Sequence, residues 1–393
     1  MQIAHLTAYC VNLPLRKQIK HASASRDSSE NIIVCCRLAD GVQGWGEGVP
    51  RDYVTGETPQ GALEQLAGTP LADQLSDDCA DWPDVLAMCE KFQPTQFGDD
   101  PRGCRSNALR CAVELSILDA FGRVFGEPLS RLAWHVPEAA SVRAESERVR
   151  YSTAITAETR LKENISALKM RLYGFAQCKV KVGMEGADDA SRLRRIRFRL
   201  GRKMDIRLDA NEAWRAEELV AKVRALLPYD VTCIEQPVPH AEVDALADLR
   251  PQLGAPIMLD ESLTSFVDAQ RAIELGTADL FNLRLSKCGG FVNCLKLAAL
   301  AQKAGLRYQL GCHPGESGIL SAAGRHWACS VGEIRYLEGS YDRHLLHHRL
   351  TQEDLTFGYG GWAPALPGPG LGVTVDEAAI AHLALAQQEH PIR

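Results

Sequence analysis

Five short apolar runs, each closed by a charged residue, recur at nearly even spacing through the middle of the chain. The closing residues lie 28, 26, 25 and 24 residues apart, and they are Lys181, Asp209, Glu235, Asp260 and Arg284. One strand, one helix and two loops take about that length, and a (β/α)₈ barrel repeats such units around its axis. Because the strand ends of a barrel meet at one mouth, the spacing predicts that these charges become neighbours.

The alternation of side chains within each run supports the same interpretation. Successive residues of a strand point to opposite faces, so Lys179 shares a face with Lys181, and Asn211 continues the face of Asp209. The apolar residues between them take the other face, which suits a surface covered by helices. Ordinary strand-end charges in solvent are the alternative interpretation. Matching alternation in all five runs favours the barrel.

The flanking segments indicate a second domain. Alternation over 2–13 and 31–48 predicts strands with a hairpin turn at Asp40-Gly41, and the polar stretch 14–30 predicts a long loop. Apolar periodicity predicts helices near 58–68, 82–92 and 105–125. We therefore predict an α+β domain over 1–140, a barrel over 150–345, and a C-terminal segment over 346–393 that returns to the first domain. The first, seventh and eighth barrel strands are expected at 151–156, 306–311 and 334–337.

Charge and composition exclude several classes of protein. The formal net charge of −6 argues against nucleic acid as the main partner. No run reaches eighteen apolar residues and the N-terminus lacks the pattern of a secretory signal, so we expect no membrane partner and a cytoplasmic protein. The 13 cysteines are odd in number and show no C-x-x-C spacing. We expect reduced thiols rather than disulfides or a zinc site.

Three of the closing residues are carboxylates, and together they predict a metal site. Asp209, Glu235 and Asp260 would form a hard oxygen site with no His or Cys at matching strand ends. Such a site suits Mg²⁺, with Mn²⁺ as a second possibility. The alternative is three acids repelling one another across a wet mouth, which would be costly without a cation.

The two lysines of the second strand predict proton transfer. A free lysine has a pKa of about 10.4 and is a poor base at neutral pH. A nearby divalent cation and a second ammonium would both disfavour the charged form and lower the pKa toward roughly 7 to 8. Lys181, assisted by Lys179, could then remove an α-proton from a small carboxylate substrate, giving an enediolate that the metal stabilises. A structural lysine pair that neutralises the acids is the alternative.

These residues resemble a known family. The motifs KVKVG, LDAN, EQP, LDES, the GG after the sixth strand and PGPGLGV in the tail resemble the muconate-lactonizing-enzyme subgroup of the enolase superfamily. The resemblance implies a modified TIM barrel, (β/α)₇β, with an α+β capping domain formed by the N-terminal segment and the tail. It implies Asp209, Glu235 and Asp260 as metal ligands and Lys181 as acid/base. It also suggests a homo-oligomer, either a dimer or an octamer.

Arg284 departs from the pattern of this subgroup. A second catalytic lysine usually stands on the sixth strand in an N-x-K pattern, whereas this chain reads Asn282-Leu283-Arg284. Arginine is not readily deprotonated, so we expect it to clamp the substrate and not to relay a proton. Lys287 has the wrong alternation if the strand continues straight. A racemase or epimerase, which needs a base on each face of the α-carbon, is therefore in doubt.

The remaining expected substrate contacts come from loops. The resemblance implies Arg26 and Tyr53 in the capping loops, and Glu316 resembles a glutamate of cycloisomerases and succinylbenzoate synthases. Asn211 is expected beside them, and His313 is expected to line the pocket or pack its loop. The eighth strand ends YLEGSYD and lacks the D-x-D that dipeptide epimerases of the subgroup use for the substrate ammonium.

We therefore predict an isomerase, most specifically a muconate-type cycloisomerase. The first alternative is a carbon–oxygen lyase of the o-succinylbenzoate synthase kind. An N-acylamino acid racemase or dipeptide epimerase that uses Lys287 follows, and a catalytically silent binding barrel is the alternative outside enzymes. Retention of the three carboxylates and both lysines favours an enzyme.

Overall fold

An antiparallel sheet with a long helix across it forms the capping domain. The computed structural model describes residues 1–20, 25–156 and 159–392. The sheet order is β13-β1-β2-β3. The N-terminal elements are β1 (Ile3–Lys20), β2 (Ser25–Leu38), β3 (Gln43–Gly48), α1 (Pro59–Ala67), α2 (Leu71–Leu75), α3 (Trp82–Lys91) and α4 (Asn107–Phe125). The predicted hairpin turn and the three predicted helices are present.

The helix α4 lies directly on the backbone of β3. Glycine recurs at every second position of β3, and a Cβ added at Gly46 would stand only 2.0 Å from the carbonyl oxygen of Ala112. No other residue allows so close an approach of helix to strand. Fifteen of the nineteen residues of α4 are buried, because the helix is covered on several sides.

The predicted loop over 14–30 is wrong for the residues that the structure describes. β1 runs to Lys20 and β2 starts at Ser25, and the two pair antiparallel, with Pro14 opposite Ser28 and Ile19 opposite Arg26. Residues 21–24 lie outside the described residues. The two strand ends carry mainly polar residues and show no apolar alternation. The pairing of their backbones therefore leaves no pattern in the sequence from which strands could be predicted.

A parallel sheet of seven strands, in sequential order, forms the barrel wall in the described residues. Its strands are β5 (Thr153–Ile155), β6 (Gln177–Lys181), β7 (Asp205–Asp209), β8 (Val231–Glu235), β9 (Ile257–Leu259), β10 (Leu280–Leu283) and β11 (Arg307–Leu310). The helices between and after them are α5 (Arg160–Leu172), α6 (Asp189–Leu200), α7 (Ala216–Leu226), α8 (Leu246–Leu249), α9 (Phe266–Leu275), α10 (Phe291–Lys303) and α11 (Gly318–Ser330). The predicted eighth strand is reduced to one bridge between Leu310 and Leu337.

The tail of the chain returns to the capping domain. Its elements are α12 (Asp342–Leu345), β12 (Trp362–Pro364), α13 (Glu377–Leu383) and β13 (Ala384–Pro391). β12 pairs with the short β4 (Arg148–Arg150), and β13 pairs antiparallel with β1, with His5 opposite Pro391. The predicted fold, a modified barrel with a capping domain built from both ends of the chain, is confirmed. The residue bounds of the three predicted domains stay predictions.

Most of the cysteines lie inside the protein. All 13 cysteines are free thiols, and twelve of them are buried, so they pack as small apolar side chains. Across the described ranges, no helix has the length and apolar character needed to cross a membrane.

Candidate active site

The register of the barrel strands brings the predicted charges together. Lys181 pairs with Asp209 across β6 and β7, and Asp209 pairs with Glu235 across β7 and β8. Glu235 pairs with Met258, so Asp260 lies two residues further along the next strand. Three carboxylates from three neighbouring strands therefore stand at the carboxyl ends of the sheet, where barrel active sites form.

Lys179 is an ammonium held among carboxylates. Its Nζ lies 2.8 Å from Glu338, 3.4 Å from Asp209 and 3.5 Å from Glu235. Burial disfavours the charge, but the attraction of Glu235, Glu338 and Asp209 outweighs burial and raises the pKa of Lys179 above its usual value. Lys179 is thus a fixed positive charge in this arrangement.

Glu338 and Arg207 belong to the same cluster, and the sequence analysis missed both. Glu338 forms ion pairs with Lys179 and with the buried guanidinium of Arg207, which also lies 3.6 Å from Glu235. Burial would raise the pKa of Glu338, but Lys179 and Arg207 lower it to about 2. Two signals could have found them: Glu338 directly follows the expected eighth strand, and Arg207 shares the inward alternation of Asp209.

Both carboxylate oxygens of Asp260 are taken by cations. Arg284 donates to Oδ2, and Lys287 Nζ donates to Oδ1 at 2.7 Å. Lys287 also donates to the backbone oxygens of Asp260 and Asn282, at 2.6 and 2.8 Å, so its three N–H groups all have acceptors. The structure therefore brings Lys287 into the cluster, where the straight-strand alternation did not place it.

Glu235 is the most enclosed of the three predicted ligands. Its side chain is fully buried and accepts a hydrogen bond from Asn282 Nδ2 at 2.8 Å. Burial raises its pKa to about 8, with Lys179 acting in the opposite direction. Its Oε2 is a buried acceptor without a hydrogen bond. An additional cation at this oxygen would compensate its burial.

The three carboxylates fit a magnesium site by chemistry. They are hard oxygen donors on adjacent strand ends, and Glu235 Oε2 is an unused acceptor. Within the described ranges, however, no group of three or more such ligands is gathered closely enough to hold a metal ion. Lys179 stands between Asp209 and Glu235, while Arg284 and Lys287 hold Asp260. Metal binding would therefore displace some of these internal cations.

Lys181 and Asn211 lie at the rim of this cluster. Lys181 is half-buried and in register with Asp209. Asn211 adopts a left-handed backbone with φ 43°, its N–H donates to Asp209 Oδ1 at 3.1 Å, and its Nδ2 donates to Glu261 at 3.2 Å. Asn211 therefore orients the Asp209 carboxylate as well as lining the mouth.

His313 and Glu316 form a buried pair on the loop after β11. The backbone N–H of His313 donates to Glu316 Oε1 at 2.6 Å, and both ring nitrogens of His313 are buried without hydrogen bonds. Burial lowers the pKa of His313 well below its usual value, and burial raises the pKa of Glu316 to about 8. The imidazole is therefore neutral, and the expected role of His313 in lining the pocket or packing its loop stays a prediction.

Arg26 and Tyr53 lie together on the capping domain, and their expected contact with the substrate stays a prediction. Arg26 forms a 3.1 Å ion pair with Asp52 and stands 5.4 Å over the Tyr53 ring. Arg51, which the sequence analysis missed, is one of the residues that link the capping domain to the barrel. Its buried guanidinium donates to Ser29 Oγ at 2.7 Å and to the carbonyl of Pro314 at 3.1 Å, beside His313.

A small cavity lies between Glu316 and Glu338. It measures about 10 Å³, no more than one water, and Tyr151, Leu285 and Cys312 are among its lining residues. A cavity of about 750 Å³ is found elsewhere, between Arg16, Arg343 and His347 on the tail side of the capping domain. The larger cavity is remote from the carboxylates, so cavity volume does not identify the candidate active site.

Comparison with known proteins agrees with the fold. Residues 161–379 match the enolase C-terminal domain-like family. N-succinyl-L-Arg/Lys racemase of Bacillus cereus is 27% identical, covering 98% of this chain and 99% of the relative, and its crystal structure superposes with a TM-score of 0.86. Muconate cycloisomerase 1 of Rhodococcus opacus is 27% identical over 97% of this chain and 98% of the relative. A dipeptide epimerase of Cytophaga hutchinsonii, complexed with Mg and a dipeptide, gives a TM-score of 0.83 at 25% identity, covering 99% of this chain and 100% of the other.

The fold and the strand-end carboxylates define a barrel enzyme of the enolase type. The chain belongs to the enolase superfamily, in the group that contains mandelate racemase and muconate lactonizing enzyme. The predicted family and the prediction of an enzyme are confirmed. Relatives in this group include racemases, epimerases and a cycloisomerase.

Proposed function

We propose that this chain moves an α-proton of a small carboxylate substrate from one face only, in the manner of a muconate-type cycloisomerase. The observation that carries the proposal is the arginine at the inward position after β10. Asp260 and other acids outweigh burial and raise the pKa of Arg284 well above its usual value. A guanidinium held in this way binds anions but does not relay protons.

Lys181 is the proposed base. It is half-buried and in register with Asp209, so its ammonium or amine reaches the same mouth. Lys179, fixed by Glu235 and Glu338, keeps a second positive charge on the same strand. Lys181 would take the α-proton at Nζ and could return it to the same face.

Asp209, Glu235 and Asp260 would hold the Mg²⁺, for which Mn²⁺ is a suitable substitute. A bound divalent cation would supply positive charge to the substrate carboxylate while the α-proton leaves. Arg284 would bind the substrate carboxylate through paired hydrogen bonds. Asn211 keeps Asp209 oriented through its 3.1 Å backbone hydrogen bond.

A two-base racemase or epimerase is the second candidate. The similar racemases and epimerases favour it, and Lys287 is the lysine that could act on the second face. The surroundings of Lys287 oppose this role. Its side chain is fully buried and its three N–H groups are all engaged, so a free amine would leave a buried acceptor without a donor. A syn-dehydrating lyase needs only one base and stays open.

Proton exchange in D₂O tests the proposal. A panel of muconates, succinylbenzoate precursors, N-acyl amino acids and dipeptides would be incubated with the enzyme and Mg²⁺, and the label followed by NMR. We expect one stereochemistry of deuterium and no interconversion of enantiomers. Labelling of both configurations would overturn the one-base proposal. If the Lys287→Met variant then labelled only one configuration, Lys287 would be the second base. Lys303→Met, an exposed lysine on α10, is the matched control.

A further inference from the structure

Basic side chains line much of the 750 Å³ cavity on the tail side of the capping domain. Cavities that take small-molecule ligands measure about 300–1,000 Å³, so this one has the volume of a ligand site. None of the described residues that line it belongs to the carboxylate cluster, and the proposed proton transfer does not use it. Half of its lining residues are basic, and we call these five the basic groove: Arg16, Arg343, His347, His348 and Arg349.

Three consecutive residues of the basic groove stand on a loop that is held at both ends. At one end, the N–H of His347 donates to the carbonyl of Pro14 at 3.0 Å. At the other end, the carbonyl of the buried Leu350 accepts from the N–H of Asp376 at 2.9 Å. Residues 347–349 are exposed between these contacts. Because the backbone is already fixed, a ligand that binds the three basic side chains has less chain to order.

The guanidinium groups of Arg16 and Arg349 are available to an anion. The bridge between Leu15 and Leu346 brings Arg16 to this loop, where its Nε donates to the carbonyl of Leu346 at 2.7 Å. Its two terminal nitrogens have no hydrogen-bond acceptor among the described residues. Arg349 has an electrostatic effect on Asp342, which does not line the groove, but the two form no ion pair in the described part of the chain. One oriented and one unpaired guanidinium therefore remain for a ligand.

The acids beside the basic groove do not cancel its positive charge. Asp354 is taken by an ion pair with Arg343. Asp376 caps α13, where it accepts from the N–H of Ala379 at 2.9 Å. Three guanidinium groups thus stand against two engaged carboxylates, and two imidazoles add further donors. Since the whole chain carries a net charge of −6, this positive cavity is a local feature.

We propose that the basic groove binds a phosphorylated small molecule with a polar body, of the sugar phosphate class. Guanidinium groups hold phosphate oxygens through paired hydrogen bonds. The body follows from the other lining residues, because Thr351 and Gln352 offer hydrogen bonds and Ala379 is the one apolar side chain among the described residues there. No Phe, Tyr or Trp is found in this described lining, so the groove lacks the rings on which a nucleotide base commonly stacks.

Calorimetric titration of the full chain with glucose 6-phosphate tests the proposal. Chelator is present and no substrate is added, so the result does not depend on the metal site or on the proposed reaction. We expect binding that weakens as salt is added. The double variant Arg16→Gln, Arg349→Gln should bind at least roughly tenfold more weakly, because a hydrogen bond to a charged group corresponds to about a factor of ten or more. Unphosphorylated glucose should not bind.

A matched control removes the same charge elsewhere. Arg194→Gln with Arg224→Gln replaces two exposed arginines of α6 and α7 and should bind as the wild type does. Arg16→Gln also removes the contact with Leu346, so Arg349→Gln alone is measured as well and should weaken binding several-fold. No binding of glucose 6-phosphate at millimolar concentration, an equal loss in the control, or unchanged affinity in the Arg349→Gln variant would each overturn the proposal. Tighter binding of citrate than of glucose 6-phosphate would also overturn it, since the groove would then select carboxylates.

Discussion

Replacement of Arg284 by methionine is expected to strengthen metal binding to the strand-end carboxylates. The guanidinium donates to Asp260 Oδ2 and lies 4.0 Å from Glu235. It therefore competes with a metal ion for two of the three proposed ligands. Four acids (Asp209, Glu235, Asp260 and Glu338) face four cations (Lys179, Arg207, Arg284 and Lys287) in this cluster. A divalent ion would therefore add two uncompensated charges unless a cation moves or an anion enters.

The size of the effect follows from the contact that the metal must displace. A hydrogen bond to a buried charged group contributes about 1.5–3 kcal/mol. Removal of that competitor should tighten metal binding by roughly tenfold to a hundredfold, since about 1.4 kcal/mol corresponds to a factor of ten. Arg284→Lys keeps the charge on a shorter, more mobile head group, so its metal affinity should fall between wild type and Arg284→Met.

Mn²⁺ titration followed by electron paramagnetic resonance measures this affinity without substrate or turnover. Thermal unfolding in chelator gives a second readout, because Arg284→Met leaves Asp260 with one cation fewer and should unfold at lower temperature without metal. Arg102→Met is the matched control, since Arg102 forms a 2.7 Å ion pair with Asp268 outside the cluster. Mn²⁺ binding in Arg284→Met that is equal to or weaker than in the wild type would refute competition between Arg284 and the metal ion for Asp260.

Three further outcomes are expected. Asp209→Asn, Glu235→Gln and Asp260→Asn should each abolish metal-dependent turnover, and full activity in a chelated preparation would exclude the metal site. Lys181→Ala and Lys181→Arg should both lose several orders of magnitude in proton exchange, because neither supplies a neutral amine, and near-normal exchange in either would remove Lys181 from the mechanism. Burial raises the pKa of Glu57 to about 8, so folding takes up a proton and the unfolding free energy should fall by roughly 3 kcal/mol between pH 5 and 8. Denaturant titrations of Glu57→Gln should show a flatter pH dependence, and an unchanged profile would contradict the assignment.

The predictable part of the site comes from strands that end cleanly. Asp209 and Glu235 follow apolar runs on paired strands, so alternation and spacing were sufficient to place them side by side. Glu338 obeys the same rule, because it directly follows the expected eighth strand, but that strand forms only one bridge and Glu338 was not counted among the charges of the mouth. The sequence therefore predicted the carboxylates on the regular strands, Asp209 and Glu235, but not the carboxylate that follows the short eighth strand, Glu338.

Lys287 shows where alternation stops being informative. The prediction treated the sixth strand as straight, but β10 ends at Leu283 and the chain turns, with the N–H of Cys288 donating to the carbonyl of Arg284 at 2.9 Å. After that turn the two-residue period no longer applies. Lys287 points back to Asp260 because of tertiary contacts that no local pattern encodes.

The capping loops were the least predictable part. Arg26 pairs with Asp52 on the capping domain, and its expected contact with the substrate stays a prediction. Arg51, which reaches the loop after β11, carries no motif that distinguishes it from other arginines. Contacts between domains depend on how the two units pack against each other. Periodicity and charge spacing within one segment do not predict that packing.

The pairing of β13 with β1 has a consequence for biosynthesis. His5 is translated before its strand partner Pro391, and the whole barrel is made between the two. During that interval β1 is an open edge with unpaired N–H and C=O groups on one side. The nascent chain therefore exposes an unpaired strand edge until β13 has been made, and such an edge favours aggregation unless chaperones or early folding of the barrel cover it.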